Sequence, residues 1–382
     1  MKTLIAMQNE FDPIRPYYDE EIPAAMARIA DDKLIPSVAS YLELKDIDQL
    51  KEGLRKVKTA REFQMLYVRK MVESILMKTT HGFTVSGIEN IRADRPYLFV
   101  SNHRDIVLDA MLLDYVLVVN EMTACQICFG SNLLCLPVIE DFGKANKMFR
   151  IERSGNMLEF YQNLALTSKY IRHVVTEEKE SVWIAQRNGR TKDGNDATDP
   201  ALVKMLGMSR SDDRVASLDE LNIVPVAVSY EWESCDKLKT IELYVSQRQK
   251  YEKKEGEDLN SILTGIKQQK GKVHFHICKP ISKEDLMQFE DCGSGLFFRK
   301  VAELMDERIN GSYHLMPNNY IAHDLRSGTH KYDHEYTSEQ KERFEQHMAW
   351  IEECKDFDQE ALKSIFLGIY ANPVDSYSQH VK

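Results

Sequence analysis

From about His81 onward, short apolar runs alternate with stretches of helical periodicity. The runs Tyr97–Ser101, Ala124–Phe129, Met148–Ile151, Val182–Ala185, Ile223–Ser229, Thr240–Val245 and Val273–Cys278 read as strands, and Met157–Val175 between them reads as helix. That alternation predicts an α/β architecture with a central mixed sheet flanked by helices. Before it the pattern is mainly helical. Over Lys56–Thr79 the apolar Phe63, Leu66, Tyr67, Met71, Ile75 and Leu76 recur at three- and four-residue intervals, with Arg61, Arg69 and Lys70 between them. This describes an amphipathic helix, expected to face the domain core. Ser246–Gly256 is polar and reads as a solvated connection. After Pro280 the helical pattern returns through Glu284–Asn310 and Ser338–Tyr370, separated by a linker carrying Pro317, Asn318 and Asn319. The expected organisation is a helical N-terminal region (1–80), an α/β domain (81–285) and a helical C-terminal region (286–382).

Composition narrows the class. A chain of 382 residues with 43% hydrophobic and 29% charged side chains is built like an ordinary globular protein. A formal charge of -10 speaks against a general nucleic-acid binder. The segment Met1–Glu10 is too short and too soon polar for a signal peptide. Asp109 and Asp114 interrupt the best apolar stretch, Ile106–Val119, so no span of the roughly 18 residues needed to cross a membrane is expected. A cytoplasmic protein follows, with peripheral contact to the inner membrane face left open. The seven cysteines have no framework spacing. Cys125 and Cys128 form a CxxC in a strand-like run, where residues three apart point to opposite faces. His274 and His276 share one strand face, and His314, His323, His330 and His334 form a loose group. Neither set is completed by further ligands, so no metal site is expected.

The candidate chemistry starts at Ser101-Asn102-His103-Arg104-Asp105-Ile106-Val107-Leu108-Asp109. A strand that runs into a histidine with carboxylates close behind can present a base and its orienting acid at a strand-to-helix junction. Ser, Asn and Asp are also common helix caps, so this stretch alone leaves a capping loop equally open.

Three later segments bear on that choice. Gly143–Gly155 is rich in basic residues, and if Met148–Ile151 is a strand, Arg153 falls on its apolar face, where a guanidinium needs an anionic partner. Val182–Gly194 is a strand running into the donor-rich turn Asn188-Gly189-Arg190-Thr191-Lys192, able to hold a phosphate. Ile223–Tyr230 is an apolar strand beginning near Pro225, expected to form core beneath a site.

The order of these four segments resembles the glycerolipid acyltransferase family, which includes glycerol-3-phosphate and lysophosphatidate acyltransferases. Gly130-Ser131-Asn132-Leu133-Leu134 with Pro137, followed by Phe149–Ser154, is similar to that family's Asn-Leu…Pro…Phe-Phe-Ile-Arg-Arg-Ser stretch, and His103-Arg104 to its His-Arg-Ser start. The resemblance spans about residues 81–285. Two departures stand out. Five residues separate His103 from Asp109 where the family has four, which on a regular helix turns the carboxylate by about 100°. Either the turn before the helix absorbs one residue, or Asp105 supplies the acid. Gln186–Asn188 stand where the family carries a Glu before Gly, while Arg190 keeps the arginine of that motif.

The resemblance implies a fold of the glycerol-3-phosphate acyltransferase type and a role in phospholipid synthesis. His103 would take the proton of an acceptor hydroxyl as it attacks the thioester of acyl-CoA or acyl carrier protein, with Asp109 or Asp105 orienting the imidazole. Arg104, Arg153, Gly189, Arg190, Thr191 and Lys192 would hold the anionic group of a glycerol-phosphate or lysophospholipid acceptor. Neither cofactor nor metal is implied. Two other readings stay open: an amino-acid-derived or other polar-lipid acceptor, and a catalytically silent relative that binds acyl chains.

Overall fold

The tetrapeptide Leu98-Phe99-Val100-Ser101 is buried throughout, as a continuous apolar run in a parallel sheet must be. In the structure, a computed structural model that describes residues 9–133, 136–152 and 155–381, this run is the centre of a seven-stranded sheet. The strands are β1 (Thr80–Ser86), β2 (Leu98–Ser101), β3 (Gln126–Gly130), β4 (Met148–Ile151), β5 (Val182–Ala185), β6 (Ile223–Tyr230) and β7 (Gly271–Ile277). They pair in the order β1-β7-β6-β2-β5-β3-β4. All pairs are parallel except β6 with β7, so the sheet is mixed and flanked by helices.

Side-chain alternation divides the sheet between two cores. On one face Phe99, Trp183, Val226, Val228 and Phe275 pack against the helix Leu108–Val119 and the N-terminal helices through Ile22, Met26, Phe63 and Val72. On the other, Leu98, Val100, Phe149 and Ile184 meet Tyr170, Ile171, Leu206, Phe297, Val301 and Met305. The helix Ser294–Asn310 therefore shares a core with the sheet. The helices Pro317–Ser327, Ser338–Met348 and Gln359–His380 close a third core around Trp232, Phe344, Phe366 and Tyr370.

Several sequence expectations need correction. Thr240–Val245 is not a strand but part of the helix Asp236–Ser246. Its β-branched residues suggested a strand, yet Ile241 and Tyr244 pack at helical spacing into the third core, and the Thr240 hydroxyl returns to the Asp236 carbonyl at 2.8 Å. Tertiary packing overrides propensity here. The helix expected over Lys56–Thr79 begins only at Ala60, capped by Thr59, and widens into a π-turn at Gln64–Val68 before continuing through Arg69–Thr79. Strand β1 went unread because its exposed positions are polar. Glu284–Asn310 is broken near Gly293, and Ser338–Tyr370 between Met348 and Gln359.

Candidate active site

His103 lies two residues beyond β2, in the loop that leaves the carboxyl end of that strand. Its ring meets the edge of Trp183 with centroids 5.5 Å apart, and Trp183 Nε1 donates to the Ser101 hydroxyl at 3.0 Å. The loop is pinned on both sides. Asn102 spans to β6, donating to the Val228 carbonyl at 2.9 Å and accepting from the Val228 amide at 2.7 Å. The Thr191 amide donates to the His103 carbonyl at 2.8 Å, tying the turn after β5 to the same loop.

The carboxylate beside His103 is that of Asp109: Oδ2 lies 2.8 Å from His103 Nδ1. The same oxygen accepts the amides of Arg104 at 2.6 Å and Asp105 at 2.9 Å, and Oδ1 accepts the Tyr230 hydroxyl at 2.8 Å. Residues 105–107 form a turn and the helix starts at Leu108, so the extra residue between His103 and Asp109 is absorbed before helical phase begins. Burial first, then the Asp109 and Asp105 charges, hold the Tyr230 phenol well above its ordinary pKa and keep it a donor.

Asp105 does different work. Its Oδ1 accepts the amides of Val107 and Leu108, each at 2.9 Å, and its Oδ2 takes the Ser234 hydroxyl. Burial alone would raise the Asp105 carboxyl, but Ser234 and these two amides outweigh it and leave the pKa lowered. A Cβ at Gly265 would press on this carboxylate, so the helix Glu257–Lys267 can approach only because residue 265 is glycine.

Arg104 is buried away from the cleft. Its guanidinium pairs with Asp196 at 2.5 Å and Glu233 at 3.3 Å, and Glu233 pairs in turn with the buried Lys239 at 2.5 Å. Asp196 also accepts from Asn102 at 3.0 Å and from the Tyr313 hydroxyl. Arg104 therefore has its own counterions and does not face a ligand, unlike the anion-holding place expected for it. Thr191 is buried beside Asp196 in the same network.

A cleft of about 440 Å³ opens at the carboxyl ends of β2, β3 and β5, the position where open α/β sheets hold ligands. His103, Gly189, the cations Arg187, Arg190, Lys192 and Lys253 and the carboxylates Asp199, Glu242, Glu257 and Asp258 line its polar part. Ile127, Phe129, Met148, Phe160, Leu164 and Met205 line an apolar part. Gly189 has φ of 74°, a left-handed turn that carries the chain from β5 toward Arg190. Arg190 Nη1 is buried and has no hydrogen-bond partner among the described residues. Lys192 pairs with Glu242 from the helix Asp236–Ser246. Arg153 lies outside the described residues.

Of the expected residues, the cleft thus brings together His103, Gly189, Arg190 and Lys192, with Asp109 directly behind the histidine. Sequence reasoning missed Tyr230, Trp183 and Arg187. The first two sit on one sheet face with Phe99 and Ser101, a phase visible in the strand alternation once the register of β2, β5 and β6 is known. The histidines of β7 form a ladder instead: the Ser86 hydroxyl lies 2.9 Å from His274 Nε2 and 2.8 Å from His276 Nδ1, and His274 stacks on His314 at 4.6 Å. Among the described residues no group of three or more His, Cys, Asp or Glu is placed to hold a metal ion.

Residues 82–229, the segment from β1 through most of β6, match the family model named Acyltransferase. That segment is similar to an acyltransferase domain. No curated protein matches the chain at a significant level. Among solved structures, the chain is similar to the 1-acyl-sn-glycerophosphate (LPA) acyltransferase PlsC from Thermotoga maritima, with 13% identity and a TM-score of 0.35, over 75% of this chain and 94% of that one.

Proposed function

We propose that this chain is an acyltransferase of phospholipid or glycerolipid synthesis, moving a fatty acyl group from acyl-CoA or acyl carrier protein to the hydroxyl of a glycerol-3-phosphate or lysophosphatidate-type acceptor. The observation that carries the reading is the pairing of His103 Nδ1 with Asp109 at 2.8 Å on the wall of a cleft that is charged in one part, with Arg190 there, and apolar in another. With Nδ1–H committed to Asp109, the basic lone pair is on Nε2. In this scheme Nε2 takes the acceptor hydroxyl proton while the oxygen bonds to the thioester carbonyl carbon. The C–S bond then breaks, and the thiolate leaves with the proton from the imidazolium. Arg190, with a guanidinium nitrogen that lacks a protein partner among the described residues, is assigned to the acceptor's anion, with Lys192 and the Gly189 turn beside it, and the family resemblance alone assigns Arg153 to the same anion. The apolar side chains take the acyl chain. We assign Arg104, Thr191 and Asp105 to the support of this loop.

A second reading is favoured by the carboxylate of Glu257, which lines the same cleft as Arg190 beside the Glu242 that Lys192 already holds. It suits an acceptor bearing an ammonium as well as an anion, such as an amino-acid-derived polar lipid. Purified protein and His103→Ala should be offered labelled acyl-CoA and acyl carrier protein with glycerol 3-phosphate, lysophosphatidate and amino-containing lysolipids, and the products weighed. Transfer to the phosphate acceptors that His103→Ala loses supports the first reading. Transfer by the wild type only to the amino-containing acceptors selects the second. Full transfer by His103→Ala removes the base assignment, and no transfer by the wild type leaves an acyl-binding protein.

A further inference from the structure

Among the described residues, little covers the first two turns of the helix Met157–His173. Met157 is 89% exposed, Leu158 65%, Tyr161 61% and Phe160 40%. No other stretch of the described residues exposes four large apolar side chains within five positions. Met157, Phe160, Tyr161 and Leu164 fall at i, i+3, i+4 and i+7, one stripe of the helix. The inner end of that stripe, Phe160 and Leu164, lines the cleft that holds His103. Apolar surface therefore runs without a break from the cleft wall to the outside.

The same segment is almost free of charge. Between Gly155 and Ser168 the only ionisable side chain besides the Tyr161 phenol is Glu159. Glu159 is turned back onto the Asn156 amide at 2.8 Å as half of a capping box, away from the role of a solvated charge. Exposed apolar side chains beside an aromatic with a polar tip are the composition of an interfacial helix. Four side chains on two turns are far fewer than the roughly 20 residues a side of a stable protein interface, which favours a lipid surface over a second copy of the chain.

We propose that Met157, Leu158 and Tyr161 insert into the interfacial layer of a lipid bilayer and set the mouth of the cleft against it. The stripe through Phe160 and Leu164 then gives a hydrocarbon chain a continuous apolar path between bilayer and cleft. The path rests on the acyl-transfer reading above; the docking does not.

The test is co-sedimentation of the full chain with vesicles of phosphatidylethanolamine and phosphatidylglycerol. The double variant Leu158→Glu/Tyr161→Glu should lose vesicle binding by at least about tenfold, because both side chains leave the apolar layer. Its acyl transfer from a short, water-soluble thioester to glycerol 3-phosphate should stay within about twofold of the wild type. A Leu158→Trp variant, which needs no loss of binding to be read, should shift its emission to the blue on adding vesicles. Docking at this helix is overturned if wild type stays in the supernatant, if the double variant pellets as wild type does, or if the emission of the Leu158→Trp variant does not move. A concentration-dependent dimer abolished by the double variant, without vesicle binding, would assign the patch to a second copy. Absence of transfer in both proteins to glycerol 3-phosphate and to lysophosphatidate alike would sink the acyl-transfer reading and leave the vesicle result to decide docking alone.

Discussion

The Tyr230 hydroxyl donates to Asp109 Oδ1 at 2.8 Å from the end of β6, while His103 holds the other carboxylate oxygen. It gives the carboxylate a fourth donor, after the amides of Arg104 and Asp105 and the imidazole. Removing it loosens the carboxylate that orients the imidazole.

Tyr230→Phe should therefore lower kcat by about tenfold with little change in either KM. A Tyr that served only packing would leave kcat per folded molecule unchanged.

Asp109→Asn and Asp105→Asn should part company. Asp109→Asn removes the carboxylate that orients the histidine and should cost about 10²-fold or more in turnover at near-normal stability. Asp105→Asn weakens a helix start that two amides and Ser234 share, so it should lower stability by about 1–2 kcal/mol while activity per folded molecule changes much less. Urea unfolding beside single-turnover rates separates the two. Equal small losses in turnover would mean that neither acid orients the base.

Arg190→Ala should raise the acceptor KM at least about tenfold and leave the thermal midpoint nearly unchanged, since its buried nitrogen has no partner to abandon among the described residues. Arg104→Ala should do the reverse. It strands Asp196 and Glu233 in the interior, and breaking a buried pair from one side costs about 3–5 kcal/mol. A higher donor KM for Arg190→Ala, with the acceptor KM unmoved, would reassign this cation to the donor's phosphates.

His274 gives a stability signature. Burial first, then the neighbouring His314 and His276, push its pKa down to about 4. The unfolded chain accepts a proton near pH 6.5 that the folded one refuses, so this group costs nothing above that pH. Its penalty grows as pH falls from about 6.5 toward 4. For a half-buried ring, His274→Gln should recover about 1 kcal/mol of the stability that wild type loses between about pH 7 and pH 4.5. Parallel unfolding curves for the two proteins across that range would exclude His274 as the source.

The sheet was legible because burial on both faces leaves uninterrupted apolar runs, as in Leu98–Val100 and Val182–Ile184. Thr240–Val245 misled for the converse reason: its apolar side chains answer to a core completed by the helix Gln359–His380, more than a hundred residues away. The His103–Arg104 segment marked a candidate base by its position after a strand. Which acid serves it was not readable, because spacing counted along the chain does not say where helical phase begins. That is fixed by Asp105 capping the turn at Leu108. Arg104 looked like a ligand for phosphate, and only the fold reveals that Asp196 and Glu233 already hold it.

The loop bearing His103 is held from far along the chain. Asn102 and Arg104 meet Asp196, which takes the Tyr313 hydroxyl, and Arg104 meets Glu233, whose amide is held by Tyr370 at 3.1 Å. The ribosome makes His103 more than two hundred residues before Tyr313 and Tyr370. The nascent α/β segment can pair its strands as they emerge, but its heavily charged buried network stays incomplete until the helix Gln359–His380 arrives. The framework is thus completed late in synthesis, and a chain stalled before that helix would carry His103 without the contacts that fix its loop.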